Sequence, residues 1–502
     1  MVISSLGRIS IFYQVMALLF LSTFSAQVFA ANYQLEIAQP QPSLNTLNRF
    51  YKAYPGLEYN VRLAIIGGDF PYRYELTSAP AGMVIDKKGE ISWANPVDQG
   101  VPYEVTASVT DAASMTKSVT WTITVTKNGF KFVDAINGKT VAQGGKGTHD
   151  APWKTIKDWY EGNDKDAENR SSYSGEFLYW RGGTYVMDAA LDVNGSVRLK
   201  GGNKPQVWLA YPGESPVIDM KAAHFTIWNG THTYIDGIEF NINGNPRGMG
   251  FMTSSDADHV TYRKNKFHGI TNGYDGGNNA HVFLTKVSSG QQGSYWSFQD
   301  NEFYDINRGY GVLGYSSERI LIEDNVLYDI GGHPIGPKEG TPMWFIRGNH
   351  FYNNPDDSIG LQYSDTGGIL SGDIEISYNL INGGGRIRLN SNQTVTGKPV
   401  YVFRNTIIAE IGVAKVTATN GVFRISDNVI INSRPEVDKI VKLNIDVPSR
   451  LIIEKNLVGS SADGIVDANG YFTLDFIKYV GIHGHQLGNR PSAPTGLMVG
   501  SL

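Results

Sequence analysis

Between residues 261 and 458 the chain repeats one short pattern: TYRKNKF, SFQDNEF, LIEDNVL, FIRGNHF, EISYNLI, VFRNTII, RISDNVI and IIEKNLV. Its asparagines are Asn265, Asn301, Asn325, Asn349, Asn379, Asn405, Asn428 and Asn456, at spacings of 36, 24, 24, 30, 26, 23 and 28 residues. A recurring period in the twenties with variable insertions is the mark of a solenoid, whose units bury their apolar faces only by stacking on one another. Alternating apolar residues before each Asn make the units strands. At a turn, Asn tolerates left-handed backbone angles. Stacking would also let each amide bond to those above and below. The asparagines are therefore expected to form a structural ladder rather than a catalytic one.

The composition agrees. The 502 residues include 57 Gly, 27 Tyr and 22 Phe, with only 18% charged. That balance fits an all-β protein rich in turns better than a helical one. A net charge of -5 gives no sign of a nucleic-acid partner. The absence of cysteine removes disulfides and thiol chemistry. Arg8, the apolar run Ile9 to Phe24 and the small-residue exit Ser25 to Ala30 predict a secretory leader ending at Ala30. No later run is long and apolar enough to span a bilayer. The mature protein is expected to be secreted, periplasmic or extracellular, and monomeric.

Residues 31–127 alternate in YRYELTS, EISW, YEVTASVTD and SVTWTITVT, with turns at Ala79 to Gly82, Lys87 to Gly89 and Asp98 to Gly100. This is a small β-sandwich pattern. Its turn Pro80-Ala81-Gly82-Met83, strand Gly89 to Trp93 and Val109-Thr110-Asp111 resemble the immunoglobulin- or cadherin-like modules of bacterial secreted enzymes. Such a module is expected to space, brace or bind. A second domain is expected over 128–460, with a tail over 461–502 packing on its last coil. Pro152 to Trp159 reads as a short helix capping the open end of the solenoid. In the tail, His483 and His485 have no third metal ligand in view.

Candidate chemistry gathers between Gly331 and Asn390. Three strand-like pieces, IGPK, GLQY and RIRLN, each follow an asparagine-centred turn. Side chains alternate faces along a strand, and stacked strands lie about 4.8 Å apart. With the aliphatic residues inside, an outer column of Lys338, Gln362, Arg388 and Lys415 is expected, with Arg386 beside it and His281 on the same face. That cationic stripe reads either as a solvated wall or as a groove for an anionic polysaccharide. Tyr179, Trp180, Tyr304, Tyr310 and Tyr328 are core-packing or sugar-stacking candidates.

The repeats resemble the right-handed parallel β-helix of the pectate lyase-like superfamily, over about residues 130–460. The fold class expected is therefore all-β: a right-handed parallel β-helix preceded by a small Ig-like β-sandwich. Lys338 ahead of Arg347-Gly348-Asn349-His350-Phe351 resembles the chondroitinase B and alginate lyase pattern, which implies a polysaccharide lyase with Lys338 as base. The chain departs from that pattern twice. Gln362 stands where the family carries its arginine, and the next arginine is Arg388. The family's calcium-binding carboxylates ahead of the lysine are replaced by Gly331-Gly332-His333-Pro334-Ile335, which leaves calcium open.

In β-elimination a base takes the proton beside a carboxylate while cations hold the developing charge. A lysine crowded by arginines would be pushed toward neutrality. Arg388 would neutralise the substrate, and Tyr315, Tyr363 or His333 are alternative acids or bases. Hydrolysis instead needs two carboxylates about 5 to 9.5 Å apart. Asp357 and Asp365 are the candidates, with Asp356 and Glu339 nearby. Asp356-Asp357 and Arg386-Ile387-Arg388 also resemble elements of pectin hydrolases. A non-catalytic glycan binder or adhesin is the third class.

Overall fold

The computed structural model describes residues 33–42, 48–162, 177–187, 196–200, 207–221, 224–228, 232–244, 250–255, 258–271, 280–286, 293–315, 317–338, 342–361, 373–382, 385–390, 399–408, 411–415, 423–432, 440–442, 451–454 and 457–460. The expected leader to Ala30, the expected tail beyond 460 and Asn456 lie outside them.

Among the described residues three long parallel sheets, of 12, 11 and 10 strands, wind from Phe130–Val133 to Leu457–Ser460. Each strand pairs with its counterpart one coil later, as Ile320–Glu323 does with Trp344–Arg347. Parallel sheets need both faces covered. The inward faces enclose one continuous core running from Val133 to Ile430. Rings stack inside it from coil to coil, with Tyr262 on Phe298 at 5.6 Å and Phe240 on Phe267 at 5.3 Å.

The asparagine ladder is present from Asn265 to Asn428. The side-chain amide and backbone N–H of Asn325 both donate to Asn349 Oδ1 at 2.9 Å, and Asn349 repeats this to Asn379 at 3.0 Å. Each amide also donates to a carbonyl of the preceding coil, as Asn325 does to Phe298 at 2.9 Å. One expectation is corrected. The left-handed residue is not the Asn but the one before it: Lys264, Asp300, Asp324, Gly348, Tyr378, Arg404 and Asp427 all have φ between 54° and 65°. That turn aims the Asn amide inward, where it satisfies backbone groups that water cannot reach.

The helix, α1 (Ile156–Gly162), starts later than Pro152. Thr155 caps it, its hydroxyl accepting from the Asp158 N–H at 3.1 Å while Asp158 accepts from the Thr155 N–H at 3.0 Å. Trp153, Ile156 and Trp159 enter the solenoid core, with Trp159 5.3 Å from Trp208, so α1 closes the end of the stack.

The N-terminal domain has a four-stranded and a three-stranded sheet. Thr116–Val125 alternates buried and exposed along its second half, as half-buried strands do. The domain lies along the first solenoid sheet. Phe50, Trp121 and Val125 share one cluster with Phe177, Tyr179, Val207 and Tyr234. Further along, Ala38, Ala64 and Ile66 pack on Leu321 and Phe345. Between these patches Arg62 meets Asp300 at 2.7 Å, Glu323 at 2.9 Å and Asp324 at 2.8 Å. Arg347 meets Glu323 at 2.8 Å and the Tyr72 hydroxyl at 2.6 Å. The domain is thus a brace that covers the outer face of the first sheet. Among the described residues no helix is long and apolar enough to cross a membrane.

Candidate functional site

The third sheet carries the candidate site. Its strands Ala280–Lys286, Gly309–Tyr315, Ile335–Pro337, Ile359–Leu361 and Ile387–Asn390 succeed one another. Ile335 pairs with Ile359, and Ile359 with Ile387, all three fully buried. Gly360 pairs with Arg388, so Arg388 belongs to the column of Gly336 and Gly360 rather than to that of Lys338. This corrects the expected outer column. Lys338 stands three residues past Ile335, and the residue three past Ile387 is Asn390, which pairs with Lys415. Aligning the inward isoleucines in sequence would have revealed this register. Gln362, Tyr363, Asp365 and Glu339 lie outside the described residues, as does the Lys415 side chain.

The two glycines form a floor that two rings cover. A Cβ on Gly336 would lie 2.9 Å from the Tyr310 ring, and one on Gly360 would lie 3.1 Å from the His333 ring. Along one side stand His281, Tyr310 and His333, from three successive coils. Their rings meet edge to face, His281 to Tyr310 at 4.8 Å and Tyr310 to His333 at 5.1 Å. His281, expected on the outer face, is buried against the Tyr310 ring. On the other side Lys338 Nζ donates to the Tyr315 hydroxyl at 3.3 Å and lies 5.8 Å from the Tyr310 ring centre. Two phenols, Tyr315 and Tyr310, thus stand beside Lys338, where arginines were expected.

The arginines converge elsewhere. Arg386 Nε donates to Asp357 Oδ1 at 2.5 Å. Arg388 Nε forms an ion pair with Asp357 Oδ2 at 2.8 Å that is not aligned as a hydrogen bond. Arg388 also reaches back across Gly360, placing a terminal NH2 3.0 Å from His333 Nε2. The other ring nitrogen, Nδ1, lies 3.6 Å from both Asp356 Oδ2 and Asp357 Oδ2. Burial pushes the His333 imidazole below its ordinary range, Asp356 and Asp357 oppose that, and Arg388 adds to it. His333 is thus biased toward its neutral form. Asp357 is buried, whereas Asp356 beside it is exposed.

His333, Asp356 and Asp357 hold ligand atoms within 4.8 Å of one another. Calcium takes six to eight oxygen ligands. Here one donor is an imidazole nitrogen, and each Asp357 oxygen already faces a guanidinium. The set does not fit calcium, and no step is derived through it.

Tyr179 and Trp180 are buried, the first against the N-terminal domain and the second in the solenoid core. Tyr304 and Tyr328 belong to a partly exposed stack on the second sheet, running His268, Tyr304, Tyr328, Tyr352 at centroid separations of 4.6, 5.2 and 4.6 Å. Those rings cover each other's faces, which leaves edges rather than flat platforms.

Comparison with known families places the two halves. The family described as "Putative Ig domain" matches residues 36–126, and that described as "Right handed beta helix region" matches residues 286–442. The chain is a right-handed parallel β-helix preceded by an Ig-like domain. Among solved structures the β-helix protein is similar to a rhamnogalacturonan lyase, at 16% identity and TM-score 0.40, over 69% of this chain and 91% of that one. It is also similar to a family 28 exopolygalacturonase from Yersinia enterocolitica, at 10% identity and TM-score 0.41, over 85% of this chain and 98% of that one. A GH136 lacto-N-biosidase from Eubacterium ramulus is a third, at 12% identity and TM-score 0.39, over 66% of this chain and 68% of that one. No curated protein matches.

Proposed function

We propose that the protein is a secreted carbohydrate-active enzyme, a lyase that cleaves an acidic, uronate-containing polysaccharide by β-elimination on the third sheet of the β-helix. The observation that carries this reading is the pairing of Lys338 with Tyr315 at 3.3 Å on the same face as Arg386 and Arg388. Lys338, acting as the neutral amine, takes the proton from the carbon beside the uronate carboxylate and afterwards returns it across the 3.3 Å contact to Tyr315. The electron pair moves into a new C=C bond as the adjacent C–O bond breaks, and the leaving oxygen takes a proton from the Tyr315 hydroxyl. Arg388, with Arg386, neutralises the carboxylate as charge builds. Strand spacing puts Lys338 and Arg388 two coils apart, about 10 Å along the axis, a span that suits neighbouring sugar units. The predicted leader ending at Ala30 supports export.

Hydrolysis through Asp357 and Asp365 is the competing reading. Asp357 counts against it, since it is buried and each of its oxygens faces a guanidinium instead of a substrate. A screen of wild type and Lys338→Ala against alginate, pectate, chondroitin and other acidic glycans separates the readings. A lyase yields an unsaturated product that absorbs ultraviolet light, and Lys338→Ala should lose it. A hydrolase yields reducing ends without that absorbance, and a binder retains glycan but releases nothing. Equal activity of the two proteins would remove Lys338 from the mechanism.

A further inference from the structure

Asp357 is 1% exposed, so no polysaccharide reaches it, yet three side chains of the site converge on it. It lies in the turn before Ile359–Leu361, and the strand one coil later presents Arg386 and Arg388 at alternate positions around inward Ile387. One carboxylate oxygen takes Arg386 Nε and the other faces Arg388 Nε. Arg388 then reaches His333 Nε2, whose ring lies against Gly360, where a Cβ would sit 3.1 Å from it. A guanidinium can only donate. Nε2 of His333 must therefore accept, and the single proton of a neutral imidazole must sit on Nδ1. There it faces Asp356 and Asp357, each with a carboxylate oxygen 3.6 Å away.

We infer that Asp357 is a positioning residue, whose buried carboxylate aims Arg386 and Arg388 and, through Arg388, fixes His333 as the neutral Nδ1–H tautomer. The arginine half rests on the proposed reading, in which those guanidiniums receive the uronate carboxylate; the tautomer half does not. The groups that face His333 are Asp356 and Asp357 from the turn before Ile359–Leu361, Arg388 from Ile387–Asn390 and the Tyr310 ring from Gly309–Tyr315. The two carboxylates favour a proton and Arg388 opposes it, so loss of the Asp357–Arg388 contact changes both the tautomer and the titration of the ring.

The test uses the full chain labelled with 15N-histidine, with the His333 signals identified by their loss in His333→Gln. Wild type should show His333 as Nδ1–H, without titration between pH 8 and the ordinary histidine range near about 6.5. Asp357→Asn, which keeps shape but removes charge, should give mixed tautomers. With a polygalacturonate or alginate oligomer that wild type turns over, Asp357→Asn should raise KM by about tenfold, the equivalent of one charge-assisted contact at about 1.4 kcal/mol. Its kcat should change less, and Asp357→Glu should recover most of the loss. If Asp357→Asn does not fold, Arg388→Lys keeps the charge, removes the two-ended bridge and should release the tautomer in the same way. Wild-type His333 found as Nε2–H, or an unchanged tautomer in both variants, would overturn the tautomer assignment. An unchanged KM in Asp357→Asn would overturn the arginine half. Failure of wild type to act on any acidic glycan would instead remove the lyase reading, and the tautomer measurement would still stand.

Discussion

Arg62 of the Ig-like domain and Glu323 of the β-helix lie 2.9 Å apart, both buried, at the centre of the surface where the two domains meet. Asp300 and Asp324 share the same guanidinium, and Lys88 reaches Asp300 at 3.1 Å from the edge. Removing one partner of a buried ionic group leaves its counter-charges without compensation and costs about 3–5 kcal/mol. Arg62→Met is expected to destabilise the whole chain by that amount, measured by denaturant unfolding. A loss under about 0.5 kcal/mol, the range of ordinary surface substitutions, would mean that the domain is a loosely attached spacer.

The ladder gives a second expectation. Asn325→Ala removes amide donors to Asn349 and Phe298 and the acceptor for Asn301, all without access to water. Unsatisfied buried groups cost about 1–3 kcal/mol each, so the loss should exceed about 2 kcal/mol. Asn128, in an exposed turn and without a left-handed backbone, serves as the control. Asn128→Ala should fall within about 0.5 kcal/mol of wild type in the same melting series.

Acid should weaken the turns before the first sheet. His259 stacks between His232 at 5.0 Å and Tyr295 at 4.6 Å. Burial, assisted by the neighbouring His232, pulls its imidazole down to about 3. The unfolded chain takes up that proton near about 6.5. Stability is therefore complete above about 6.5 and falls as the pH drops toward 3. Unfolding midpoints recorded across that window should decline less steeply for His259→Phe than for wild type; parallel curves would remove His259 as the cause.

Gly360→Ala tests the floor of the site. The new methyl would sit 3.1 Å from the His333 ring, which Arg388 contacts at 3.0 Å. The ring must give way, at about 1–3 kcal/mol. Catalytic efficiency should fall while far-ultraviolet circular dichroism stays that of wild type. Full activity would show that the His333–Arg388 contact is dispensable.

Substrate binding should depend on salt. Arg386 is about 41% exposed and Arg388 about 27%, so both are open to screening. Raising ionic strength from 0.05 to about 0.5 M should raise KM for an acidic oligomer severalfold, and a flat response would argue for recognition by neutral contacts.

Much of this architecture was legible in the chain. Asn265 to Asn428 announced the ladder because one side chain meets one need in every coil. The alternation of SVTWTITVT gave a strand with one face inside. The polar row of Arg263, Gln299, Glu323 and Arg347 was not read, although each stands two residues before a ladder Asn. A charge in a strand suggests solvent, and here the covering surface comes from residues more than 170 positions away, as with Lys264 and Glu90. The site was half legible. Lys338, Tyr315, His333 and both arginines were singled out, but the grouping was misjudged. Asp357 was weighed as a hydrolase acid, and its pairing with Arg386 and Arg388 depends on a turn whose length no periodicity announces.

The ladder also runs in one direction: from Asn265, which donates to Asn301, each asparagine donates to the next until Asn428 accepts from Asn405. Such a line is indifferent to its own length. Inserting or excising one entire winding leaves every amide with a neighbour on both sides, whereas a partial winding orphans two of them. Tandem duplication can therefore lengthen the molecule beyond Asn428 without disturbing the chemistry already built at Lys338 and Arg388.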